Sequence, residues 1–222
     1  MTRVLGVDGC RQGWVAVALV DGSFAEAQAA AHFAELVDDP AAVIGVDIPL
    51  GSTGPHRAAD AEARALLGPR RGSVFLPPPR DVLEAPDHAT ANAACRVRHG
   101  RGVSAQAWNL AAKMLDVEPH WQQRPDRIFE VHPELSFAEL GGAPRPHAKR
   151  TWAGARDRTA LLAAAGIELP DDLGSASAAG TDDVLDAAAV AWSAARLAAE
   201  VARSVPNPPQ RDAAGRPVAV WW

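Results

Sequence analysis

Apolar positions in the opening stretch of the chain follow the spacing of strands. Residues 4–8 and 14–20 form two apolar runs joined by the polar turn "GCRQG", and residues 24–29 offer a weaker third. Phe33, Leu36 and Val37 then fall at three- and four-residue spacing, which predicts a short helix. "AVIGVDIPLG" returns to a buried strand over 43–48, stopped by Pro49 and Gly51. From 55 to 125 the pattern is mostly helical, broken by the proline-rich "SVFLPPPRDV". "RIFEVHPELSF" supplies a strand over 128–132, ended by Pro133. A helix over 156–165 stops at Gly166. After "GSASAAG", a long alanine-rich helix runs from about 182 to 203, with Thr181 placed to cap it. The tail "GRPVAVWW" ends in a last short strand.

This order predicts one α/β domain over residues 1–222, a mixed sheet with helices on its faces. The stretch 55–125 reads as a helical insertion after the strand that carries Asp47. No internal repeat and no linker between autonomous units interrupts it.

Acids break the apolar pattern at telling places. Asp8, Asp47 and Glu130 each lie within or at the end of an apolar β run, where a charge is costly unless paired or bound to metal. "TDDVLDAAAVAW" begins the long helix, and Asp183 and Asp186 three residues apart project from one of its faces. If the strands are neighbours and this helix crosses them, four or five carboxylates converge. Such an oxygen-rich cluster suits Mg²⁺ or Mn²⁺. Taken singly, each acid has a plainer reading: Asp8 as a turn residue, Asp47 as a cap, Asp182 and Asp183 as dipole partners in a first helical turn. Asp186 lies beyond that turn, and the plain reading explains the set less well than its members.

Composition narrows the field. No apolar run reaches the ~18 residues needed to span a bilayer, and the start of the chain lacks a signal-peptide layout. A soluble, cytoplasmic protein is the expectation. Two cysteines, Cys10 and Cys95, are too few for a disulfide framework or a four-cysteine zinc site. The net charge of −5 argues against indiscriminate wrapping of nucleic acid. Residues 56–101 nevertheless hold 8 Arg against 5 acids, so the rest of the chain is the more acidic part.

Several motifs together resemble a known family. "GVDGCRQGWVA", "DIPLG", "RAADAEARALLG", "SVFLPPPR", "EVHPELSF" and "DDVLDA" are similar, in that order, to a bacterial family of unknown function predicted to be ribonuclease H-like nucleases. The resemblance implies a ribonuclease H-like fold and a divalent-metal-dependent phosphodiester hydrolase using Mg²⁺ or Mn²⁺. On that pattern Asp8 would bridge two metals, Asp47 would be the second strand's ligand and Asp186 the helix ligand. Asp183 would add a further ligand or stand behind the others. Glu130 belongs to the family's own motif and joins the catalytic candidates.

Cations for a substrate phosphate are available. Arg57 and Arg64 lie seven apart on one predicted helical face with Asp60 between them, and Lys149 stands in "HAKRTWAG". An internally paired or solvated face explains the two arginines equally well. His132 and Glu134 share the alternation of Glu130 if the strand continues past Pro133, which offers a general base or metal neighbour. Gln106, Asn109 and Lys113 fall at helical spacing and reach toward a substrate or simply toward solvent. The expected substrate is nucleic acid or another phosphoester. An actin-like or sugar-kinase-like phosphotransferase remains an alternative, as does a binding or regulatory module on the same fold. The pattern fixes no oligomeric state. The "VAVWW" end either joins a neighbour's sheet or docks on its own core.

Overall fold

The computed structural model describes residues 1–52 and 57–222. Pro55 and His56, the first residues of the expected insertion, lie outside the described residues.

A five-stranded mixed sheet organises the chain. β1 (Arg3–Cys10), β2 (Gly13–Val20) and β3 (Ser23–Ala30) form an antiparallel meander. β4 (Val43–Val46) runs parallel to β1, and β5 (Ile128–Glu130) runs parallel to β4. The spatial order β3-β2-β1-β4-β5 puts β1 at the centre. Gly13 opens β2 at φ 140°, and a Cβ there would lie 2.2 Å from the Ala30 carbonyl oxygen. Only glycine fits that turn.

Alternation assigns each strand residue to a face. Leu5 and Val7 of β1 join Trp14, Ile44 and Ile128 in one core layer. α5 (Ala111–Gln123) covers that layer with Met114, Val117 and Trp121. Val4 and Cys10 point the other way, into a layer with Val15, Val17 and the alanine face of α8 (Thr181–Ala198). α6 (Pro133–Leu140) and α7 (Trp152–Ala164) complete that side through Phe137 and Leu162.

The sheet and α8 approach at backbone distance. A Cβ on Gly6 would stand 2.1 Å from the Ala191 nitrogen and 2.3 Å from the Ala187 oxygen. One on Gly45, its neighbour in register on β4, would stand 2.8 Å from a Val190 methyl carbon. Two adjacent glycines therefore let the helix lie directly on the two central parallel strands.

α1 (Ala34–Val37) precedes β4, and helices fill the chain between β4 and β5: α2 (Ala58–Leu67), α3 (His88–His99), the short α4 (Ala105–Trp108) and α5. Asp87 caps α3, its side chain accepting a hydrogen bond from the Thr90 nitrogen at 2.7 Å. No helix among the described residues is long and apolar enough to cross a membrane.

Several sequence-based boundaries move. β4 ends at Val46, although Asp47 still donates its N–H to Val7 O at 2.9 Å. β5 is three residues long, and His132 caps α6 instead of extending the strand. Pro133 explains the change: its fixed φ suits the first helical position and ends a ladder. Gly180, not the Thr181 side chain, precedes α8, and the helix stops at Ala198, short of 203. Residues beyond it form β6 (Ser204–Arg211), which pairs antiparallel with β7 (Pro217–Trp221). Pro206, Pro208 and Pro209 hid β6 from pattern reading; the register is irregular between Val205 and Gln210, where they sit. The tail docks on its own core, since Val218, Ala219, Val220 and Trp222 are buried.

Candidate metal centre

Register brings the acids together. β1 pairs with β4 through Val7 opposite Val46, so Asp8 and Asp47, one residue on, stand side by side. Both follow the alternation of Gly6 and Gly45 and face α8. Asp186 precedes Ala187, the residue that touches Gly6, and so reaches the same point from the helix. One carboxylate oxygen from each of Asp8, Asp47 and Asp186 lies within 4.8 Å of the other two. Asp8 and Asp186 are buried and Asp47 half-buried. Together they line a cavity of about 410 Å³ that also meets Asp183, Lys149 and Lys113.

The electrostatics are those of crowded negative charge. Burial, reinforced by Asp47 and Asp186, drives the Asp8 carboxyl well above its ordinary value. Burial lifts Asp47 to about 7, with Lys149 opposing and Glu134 adding to the rise. Asp186 is lifted to about 7 by burial as well, against the pull of Lys149. The Lys149 ammonium donates to Asp186 Oδ2 and lies 3.8 Å from Asp182. Burial disfavours that ammonium, but Asp186 and Asp8 outweigh it and hold its pKa above the lysine range. Lys149 is thus a counter-charge built into the site. It satisfies one oxygen of Asp186; the other, Oδ1, is buried without a hydrogen-bond partner.

Three of the expected carboxylates cluster, and two stand differently. Asp183 lines the cavity and raises Asp8 through its charge, while burial raises its own pKa. Glu130 is not part of the triangle. Its register partner is Val46, so it shares the face of Ile128, opposite to Asp8 and Asp47, although it also lines the acidic cavity. There Glu130 Oε2 accepts from the Leu50 nitrogen at 2.7 Å and from Arg57 Nη2. The convergence of four or five acids expected from sequence is therefore a triangle with Asp183 beside it. Strand parity, counted from Val46, carries the distinction.

The cations also separate. Arg57 is buried in an ion pair with Glu130 and lies 3.7 Å from Asp60. Arg64 donates to the Val74 carbonyl at 2.9 Å and lines a second cavity, which Arg57 also meets. Of the three phosphate candidates only Lys149 stands at the acidic triangle. His132 caps α6: Nδ1 accepts from the Glu134 nitrogen at 3.3 Å, which places the proton on Nε2, facing Ser73 O at 3.3 Å. Burial lowers its pKa, so the ring is neutral. Lys113 lies over the Trp14 ring, 4.2 Å from its centroid, and donates to Gly13 O. Gln106 is exposed, and Asn109 meets the acidic cavity.

Arg158 escaped sequence reading. It is fully buried, donates to Glu134 Oε1 at 2.6 Å, and so holds Glu134 at the edge of the cavity with Oε2 unpartnered. An arginine in the middle of an alanine-rich helix gives no local signal of burial. Only the buried acid it faces reveals its role.

No curated protein and no solved structure matches the chain. A family described as "Protein of unknown function (DUF429)" matches residues 6–211. That span contains the paired glycines, the three clustered aspartates and Lys149, and it covers nearly all of the chain: the protein belongs to the DUF429 family.

Proposed function

We propose that the protein is a divalent-metal-dependent phosphodiester hydrolase acting on nucleic acid, with Asp8, Asp47 and Asp186 holding Mg²⁺ or Mn²⁺. One observation carries the proposal: three carboxylates share a 4.8 Å triangle, and one buried oxygen, Asp186 Oδ1, has no protein partner. Burying like charges without compensation is unfavourable, and Lys149 answers only part of it. Hard oxygen donors converging from two strands and a helix suit small divalent cations. A ribonuclease H-like assignment is supported by the central β1, the antiparallel meander continued by parallel strands, and the helix across them. On this proposal the helices that separate β4 from β5 are a helical insertion into that fold.

When bound, a pair of cations supplies an activated water and charge for the leaving oxygen in an in-line displacement. The chain's own residues do the positioning. β1 and β4 fix Asp8 and Asp47 through ladder hydrogen bonds, and the backbone contact of α8 fixes Asp186 against them. Lys149, released from Asp186, is placed to meet a phosphate oxygen. Asp183, at the start of α8, lines the same cavity.

The experiment is cleavage of labelled RNA, DNA and hybrid substrates with Mg²⁺, Mn²⁺ or chelator, paired with calorimetry of Mn²⁺ uptake. The expected result is metal-dependent cleavage that Asp186→Asn abolishes together with Mn²⁺ binding. Absence of Mn²⁺ uptake by the wild type refutes the proposal. ATP turnover without nucleic-acid cleavage favours the phosphotransferase alternative instead.

A further inference from the structure

A second cavity, about 460 Å³, adjoins the acidic one. Pro49 and Asp60 line both, so the two form neighbouring compartments of one cleft. The "SVFLPPP" loop borders both compartments. Phe75 meets the acidic cavity at 39% exposure, and Leu76 meets the second at 43%. Exposed large apolar side chains on both sides of one loop are what a ligand passing the loop would cover.

The chemistry of the second cavity is opposite to that of the first. Five arginines line it, at 57, 64, 71, 80 and 101, against two acids, Asp60 and Glu118. Two of the arginines are neutralised: Arg80 pairs with Glu118 at 2.7 Å and Glu84 at 3.0 Å, and Arg57 pairs with Glu130. Arg64 and Arg71 have no carboxylate within 4.0 Å among the described residues. Arg57, only 5% exposed, keeps Nε and Nη1 without hydrogen-bond partners although Nη2 is paired. Leucine, proline and methionine side chains, among them Leu76, Pro78 and Met114, make the remaining wall.

We propose that this second cavity binds the nucleotide unit adjoining the one at the acidic triangle, with its phosphate on Arg64 and Arg71 and its ring on the apolar wall. The proposal rests on the phosphodiesterase reading and names its substrate as a chain of at least two nucleotides. Guanidinium forks match phosphate oxygens in two parallel hydrogen bonds, which a carboxylate-neutralised arginine cannot offer. The shared wall places the anion site beside the acids that would otherwise repel a polyanion.

The test measures binding in chelator, where the acidic triangle has no metal to contribute. The probe is a fluorescent tetranucleotide carrying a terminal phosphate, followed by anisotropy over a salt series. Arg71→Gln alters an exposed side chain with no ion pair, so folding is unaffected; Arg64→Gln is the second variant. Each is expected to weaken binding about tenfold or more and to flatten the salt dependence. Binding by both variants equal to wild type overturns the proposal, as does a wild type that leaves the probe free. Inorganic phosphate competing as well as the unlabelled oligonucleotide does so too, because a free anion is then the ligand. Mn²⁺ calorimetry reads the other compartment separately: failure there with oligonucleotide binding intact sinks the hydrolase reading and leaves this cavity an anion site.

Discussion

Asp8→Asn is expected to make the metal-free protein more stable while removing its response to metal. One carboxylate oxygen from each of Asp8, Asp47 and Asp186 lies within 4.8 Å of the other two. At that separation and an effective dielectric near 20, each like-charged pair costs roughly 3 kcal/mol. Asparagine at position 8 removes two of the three repulsions. It also removes the attraction between Asp8 and Lys149, which offsets part of the gain. The bond from the Gly9 nitrogen to Asp8 Oδ1, 2.7 Å, survives because asparagine keeps a carbonyl oxygen. A net stabilisation of about 2 kcal/mol at pH 8 follows, equivalent to roughly 4–8 °C in Tm for a domain of this size.

The pH dependence has a definite sign. All three acids have folded-state pKa values raised above 3.8, Asp47 and Asp186 to about 7. A raised carboxyl favours the fold most when protonated. Its contribution is lost as pH climbs from the unfolded value through the folded one. The advantage of Asp8→Asn is therefore largest at pH 8 and shrinks toward pH 5. Thermal unfolding followed by circular dichroism, in chelator at both pH values and then with Mn²⁺, reads every part of this. Wild type gains stability with Mn²⁺ and the variant does not. The reasoning is refuted if the variant melts at or below wild type in chelator at pH 8, or gains as much from Mn²⁺.

Three further outcomes are expected. Gly6→Ala forces a methyl into the Ala187–Ala191 backbone of α8, where neither side can yield. A loss of about 3 kcal/mol or more in urea denaturation is expected, and a near-neutral result would show the sheet and helix to be less closely opposed. Arg158→Leu leaves the buried Glu134 carboxylate with only Arg70, 3.5 Å away and partly exposed, and is expected to cost about 3 kcal/mol; pairing it with Glu134→Gln recovers part of the loss. A single-variant loss under about 1 kcal/mol contradicts the buried pair. Lys149→Met deprives Asp186 of its ammonium partner, so the chelated protein melts lower at pH 8 and the rise on adding Mn²⁺ grows. An unchanged melting point in chelator would mean Lys149 supplies no counter-charge.

Much of this architecture is legible in the pattern of residues, and the misses have physical causes. The first two strands, β4 and α8 stand out because each is apolar on a face that the core requires, whereas β3, mostly exposed or half-buried, gives only a weak pattern. Asp8, Asp47 and Asp186 stand out because a charge at such positions is conspicuous. Glu130 is equally conspicuous but belongs with Arg57, and only the parallel register of β4 and β5 tells its face from that of Asp47. Arg57 and Arg64 look equivalent at seven-residue spacing and both line the second cavity, yet Arg57 is buried in an ion pair with Glu130 while Arg64 has no carboxylate within 4.0 Å among the described residues. β6 is masked by prolines that normally argue against a strand. His132 reads as a reactive group and is a helix cap, because Pro133 starts a helix where the alternation suggested more strand.

If the proposed centre holds an ion, Gly6 and Gly45 bear on which one. At Gly6 the gap between the sheet and α8 is a ruler graduated in main-chain atoms, so no rotamer change can lengthen it there. Ca²⁺, with oxygen bonds of about 2.3–2.6 Å, asks for a roomier and more pliable cage than Mg²⁺ at about 2.0–2.1 Å. A gauge this stiff favours the smaller guest, and it is set two residues upstream of Asp8 rather than by the oxygens that would touch the ion.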